Sequence, residues 1–193
     1  MTIKMSLAIA AFGVVVGGGV DAQAPADRFT QKVVQVLVHA EDEEAAPRRT
    51  TFTESEVNSY LSLGATEHLP PSVTRPTVAL LGAGRLSAAA IVDLDVVRGG
   101  SSGGWFDPLA YLSGRLPVVA IGTIDTRGGL ARLQLERTEV GGVAMPPMLL
   151  QEIVSFYTRS DEAPRGVRLD EPFALPARID RIEIARGQAV VVQ

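Results

Sequence analysis

Two histidines, His39 and His68, and three aspartates, Asp93, Asp95 and Asp125, are the side chains with which this chain could do acid–base or metal chemistry. A catalytic centre needs a nucleophile beside a base, paired carboxylates in a pocket, or a metal cluster. The histidines are far apart in sequence, one on a predicted helix and one in a predicted loop, and their spacing assembles no metal site. Asp93 and Asp95 stand two apart on a predicted strand and so project to one face, with Asp125 on a neighbouring strand. Together they could hold Ca²⁺ or share a proton. Alternation, however, assigns them to the wet face, where acids also discourage edge-to-edge pairing. The glycine-rich stretch Gly99 to Gly104 lacks the Gly-Lys-Ser/Thr that cradles phosphate, so it is not a nucleotide loop. The expectation is a protein without an enzyme site, metal or cofactor. Trp105 and Phe106, at the end of that flexible stretch, are read as a gate beside an opening, where aromatic rings touch lipid at an interface.

Composition limits the partners. The chain has 193 residues, 46% of them hydrophobic, 21% charged and 5% aromatic, with a formal net charge of −4. That length suits one domain with a sizeable core. Mixed charge signs leave no basic face for nucleic acid. A core of Val, Leu, Ile and Ala, poor in large rings, more readily leaves a cavity. The first 22 residues look like a secretory leader: Lys4, an apolar run from Met5 to Val20, and Val20-Asp21-Ala22 as a small-residue cleavage site. Cleavage is expected after Ala22 rather than Ala24, since Pro25 would follow the latter. A retained anchor would need roughly 20 strongly apolar residues, and this run is short and glycine-rich. The absence of cysteine excludes lipid attachment, disulfides and thiolate sites. A periplasmic or secreted location follows as the expectation.

The remaining elements are read from periodicity. Phe29, Val33, Val36, Leu37 and Ala40 recur at helical spacing within 23–49, and the acidic run Glu41 to Glu44 with Pro47-Arg48-Arg49 forms a solvated link. Thr53 and Glu56 form a capping box, and Phe52 and Val57 a hydrophobic staple, so a helix starts there and closes near Gly64. It presents Val57, Tyr60 and Leu61 on one side. Hairpins follow at 73–81 with 85–97, turning at Gly82-Ala83-Gly84, and at 116–126 with 130–140, turning at Arg127-Gly128-Gly129. In the second of these strands Leu86, Ala88, Ala90, Val92, Leu94 and Val96 face inward. Asp107 and Pro108 open a short helix. Pro146-Pro147 opens a longer one through about Thr158, whose stripe is Met148, Leu149, Ile153, Phe156 and Tyr157, widened by Leu150 and Val154. Short strands at 173–175, 179–185 and 188–192 close the chain.

A helix announced by Thr53, Glu54, Glu56, Val57, Asn58 and Leu61, then a hairpin, an Asp-Pro-Leu turn, a second hairpin, a Pro-Pro helix and a last hairpin resemble the YceB-type envelope lipoproteins and the related YpmS and LmeA families. The likeness spans residues 50–193, and only the first motif is close residue by residue. It implies a tubular lipid-binding (TULIP-like) half-barrel: an α+β fold in which a curved antiparallel sheet wraps a long amphipathic helix, with one or two helices before it. Lacking a lipobox cysteine, this chain would be released rather than tethered.

These readings converge on a lipid or other hydrophobic ligand held between sheet and helix. The expected lining is Val57, Tyr60, Leu61, Ala88, Ala90, Val92, Leu94, Ala120, Gly122, Leu133, Leu149, Ile153, Phe156 and Tyr157. Small side chains on the sheet leave volume that the helix does not fill, and each buried ligand methylene would contribute about 0.8 kcal/mol. The competing expectation is a non-catalytic envelope scaffold with a filled core, pairing as a homodimer or docking a partner through Val119 and Ile121. Transient contact with a membrane surface fits the first.

Overall fold

In the computed structural model, residues 23–42, 44–63, 69–99, 113–159, 164–166 and 168–193 are described. They form a mixed α+β fold with four helices and two antiparallel sheets. Trp105, Phe106, the Asp107-Pro108 turn, Gly64 and His68 lie outside the described residues, as does the side chain of Tyr157.

The amphipathic first helix, α1 (Gln23–Glu41), tolerates Pro25 because amides of a first turn have no helical partner. Its stripe of Phe29, Val33 and Val36 enters the main core. The link at Arg48 and Arg49 is corrected at its end: β1 (Arg49–Thr53) is a strand, with Thr50 and Phe52 buried and their neighbours exposed. It pairs with β9 (Gln188–Val192), which pairs with β8 (Arg181–Ala185), making a three-stranded sheet.

The capping box is formed as expected. The Glu56 amide donates to Thr53 Oγ1 at 3.2 Å, and the Thr53 amide to Glu56 Oε2 at 2.9 Å, opening α2 (Glu54–Leu63). Phe52 and Val57 meet in the main core with Ala131, Leu175, Ile179 and Val191. Helices α1 and α2 run antiparallel, since Phe29 stacks on Tyr60 at 4.5 Å while Lys32, a turn later, holds Glu56, a turn earlier.

The larger sheet is open and six-stranded. Its order is β2 (Val73–Gly82), β3 (Arg85–Asp93), β4 (Arg115–Arg127), β5 (Leu130–Val140) and β6 (Val143–Met145), with β7 (Phe173–Ala174) also on β5. Both expected hairpins form. Their turns use positive φ at Gly82, Ala83 and Gly84 and at Gly128 and Gly129. The strand expected to run to Val97 stops at Asp93, and α3 (Leu94–Gly99) begins there. Asp93 Oδ1 accepts the amides of Asp95 and Val96, an aspartate cap that turns the chain from strand into helix. Leu94 and Val96 are therefore helical: Leu94 is buried, and Val96 is exposed.

Helix α4 (Pro147–Tyr157) starts at the two prolines. Its expected apolar covering is corrected. Met148 is 77% exposed and Leu149 43%, whereas Gln151, Ile153 and Ser155 are buried. The reason is the chain that follows: Gln151 donates to Ser155 Oγ at 2.8 Å and accepts the Leu169 amide at 2.8 Å. Gly166 lies so close that an added Cβ would meet the Ser155 carbonyl. The returning segment thus covers a polar flank, and the bulky N-terminal residues remain outside.

Candidate functional site

Inner-face residues of the larger sheet follow from the register. Val78, Ala88, Ala120 and Thr138 lie in one row, and Val92 and Leu116 in another. At one end this face joins the main core through Ile124 and Ala131. At the other, Leu94 and Ile153 pack with Val92, Val97, Leu116 and Met145. Between these clusters Ala88, Ala90, Val118 and Ala120 are only half-buried.

The expected lining residues thus divide. Val92, Leu94 and Ile153 come together in the second cluster, while Val57 belongs to the first. Ala88 faces Ala120 across the β3–β4 ladder, and Leu133 faces Ile124 across β4–β5. Gly122 is buried beneath its neighbour strand. A Cβ there would lie 2.5 Å from the Gln134 carbonyl, beside the bulge that admits Glu136 as an extra residue, so glycine is required by strand crossing. Tyr60 is occupied in its stack on Phe29, and Phe156 lies under the Arg159 guanidinium at 5.4 Å. Leu149 is exposed, and Val119 and Ile121 are half-buried on the opposite face of β4.

Leu61 leads to a concavity that periodicity did not locate. An open groove of about 490 Å³ runs between the C-terminal turn of α2 and the start of β2, walled by Leu61, Leu69, Pro70, Pro71, Val73 and Pro76. Ser62, Thr74, Arg75 and Thr77 supply its polar edge. The volume falls within the range of roughly 300–1,000 Å³ usual for small-molecule sites. Strand β2 is an edge strand, and α2 closes its C-terminal half with side chains. Asn58 donates to the Val78 carbonyl and accepts the Val78 amide, both at 2.7 Å, while Glu54 accepts the Leu80 amide at 2.7 Å. These side chains act as a substitute strand, blunting an edge that would otherwise pair with another chain. The clamp stops at Val78. Beyond it Pro76 has no amide to offer, the ladder slips between Thr74 and Thr77, and the groove begins.

Glu56 fixes the other face of α2. Burial favours its neutral form, but two hydrogen bonds from Lys32 Nζ, at 2.8 and 2.7 Å, and the Thr53 amide outweigh this and hold its pKa below the usual glutamate range.

The carboxylates do not converge. Asp93 pairs with Arg115 at 3.2 Å, Asp95 accepts the Gly114 amide, and Asp125 sits toward the far end of β4, opposite Arg132. Asp93 titrates below its ordinary range because it accepts the Val96 amide and the Arg115 guanidinium. His39, near the end of α1, borders a crevice of about 40 Å³ with Asp42, Arg178 and Gln193. Among the described residues no helix is long and apolar enough to cross a membrane. No family model, curated protein or solved structure matches this chain.

Proposed function

We propose that this protein binds a lipid or another hydrophobic molecule in a groove between helix and sheet, without catalysis, in the periplasm or outside the cell. The observation that carries the reading is the open groove of about 490 Å³ between α2 and β2, whose walls are leucine, valine and proline. A surface of that kind, left in water, forfeits about 25 cal/mol for each Å² of apolar area that a ligand would cover. The half-buried alanine strip on the inner face of the larger sheet, with Ala88, Ala90 and Ala120, is a second apolar surface outside the lining of that groove. In the same reading the six-stranded sheet is a half-barrel about α4, with Ile153 as its inward anchor, and the chain is a relative of the YceB, YpmS and LmeA proteins. Removal of the leader after Ala22 would release it from the membrane.

Native mass spectrometry of the purified protein, followed by solvent extraction, tests this. The expected result is a bound species of lipid mass that survives gentle desolvation and is recovered by extraction. Protein that stays ligand-free from several expression hosts, and takes up no added lipid, would contradict it.

The scaffold reading has one observation in its favour. Val143 (71% exposed), Met148 and Leu149 are apolar and uncovered, on β6 and at the start of α4. Such a surface suits a partner or a second copy. Light scattering across a dilution series separates the two readings, because a ligand carrier needs no self-association.

A further inference from the structure

Among the described residues the groove has one cation at its lip, and that cation is held in an unfavourable backbone conformation. Arg75 has φ 53°, in the left-handed region that non-glycine residues seldom occupy. It also precedes Pro76, and a residue before proline is normally driven to extended conformations. Strain of this kind is kept where the surroundings impose it or a function uses it. Its location is the bulge of β2, where two residues, Arg75 and Pro76, lie between Thr74 and Thr77 while Ala90 alone lies between their partners Ile91 and Ala89. Bulges re-aim side chains, and this one places Arg75 in the lining of the groove.

Most of the other arginines of the sheets have carboxylate partners: Arg49 and Arg181 with Glu183, Arg85 with Glu136, Arg115 with Asp93, Arg137 with Glu139. Arg75 makes no hydrogen bond and no ion pair with any described residue. An unpaired guanidinium presents a planar fork of donors that matches a carboxylate or phosphate. It stands beside apolar walls in a protein whose net charge of −4 would otherwise repel anions.

Resting on the reading of the groove as a hydrophobic-ligand site, we infer that the ligand is an amphipathic anion. Its single acyl or alkyl chain lies against Leu61, Leu69 and Val73, and its anionic head is met by Arg75. Arg75 is thus the specificity-determining residue, selecting headgroup charge while the walls supply most of the affinity.

The test uses the full chain and the neutral fluorescent probe N-phenyl-1-naphthylamine, displaced by dodecanoate or by dodecyltrimethylammonium, both below micelle formation. The two competitors share a chain length and differ in head charge. Dodecanoate is expected to displace the probe at a concentration about fivefold lower, the size of effect a partly exposed charge pair produces. Arg75→Gln should bring the two competitors to within about twofold, and Arg75→Lys should retain the preference. Equal displacement by the two in the native chain, or a preference that persists in Arg75→Gln, would overturn the assignment while leaving a hydrophobic site in place. Failure of the native chain to bind the probe at all would remove the groove reading itself, and this assignment with it.

Discussion

The two flanks of α2 are built on opposite terms. Toward α1 and β1, Phe52 and Val57 enter the core and Glu56 is held by Lys32 and by its cap, while Glu54 and Asn58 close the C-terminal half of the β2 edge. Toward Leu61 and the start of β2 the side chains line open space, a cation has no partner among the described residues, and the backbone at Arg75 is strained. On the proposed reading the closed flank is the frame and the open flank is where a ligand is met; strained backbone persists where rigid surroundings hold it.

The sharpest way to break this contrast is through the core. Phe52→Ala removes a buried ring that packs against both α1 and the small sheet, and it should cost about 3–5 kcal/mol by denaturant unfolding. Ile153→Ala, in the thinner cluster under α4, should cost only about 2 kcal/mol. Equal losses would mean that the α4 end is as much a frame as the Phe52 end.

Glu56→Gln comes next. It removes the charge that pairs with Lys32 while leaving an amide oxygen to accept the Thr53 amide, and at pH 7 should cost about 1.5–3 kcal/mol. Because the folded-state pKa of Glu56 lies below the ordinary value of about 4.3, its stabilisation is complete above that pH and disappears as pH falls through the folded value. Unfolding midpoints of the two proteins should therefore differ most at neutral pH and converge in acid. A gap that is constant with pH would assign the loss to packing alone.

The smallest effect is of opposite sign. Arg75→Gly should raise stability by about 0.5–1 kcal/mol, since glycine occupies φ 53° without strain. A loss of stability would mean that Arg75 serves the frame.

Local signals carried much of this architecture in the sequence. The Thr53–Glu56 box, the glycine turns and the Pro-Pro helix start depend on neighbours within a few residues, so type and spacing sufficed. Strand β1 was hidden because five residues with two buried positions, directly after Pro47-Arg48, give too short an alternation to separate from a loop. The Asp93 cap was legible in principle as an aspartate two and three residues before the amides that donate to it, but the alternation continuing through Leu94 and Val96 overrode it. Of the expected lining, Leu61 borders the groove. The rest of that groove was not legible, because its walls come from a loop and an edge strand whose proximity is set by Asn58 and Val78, partners 20 residues apart.

Titration of N-phenyl-1-naphthylamine into the native chain and Leu61→Glu tests the central claim directly, because Leu61 is the groove wall contributed by α2. A saturable rise in fluorescence in the native protein, weakened at least tenfold in a variant that still unfolds cooperatively, is the result predicted. Identical titrations of the two proteins, or a site abolished instead by Ala88→Leu, would place any ligand elsewhere and contradict the assignment.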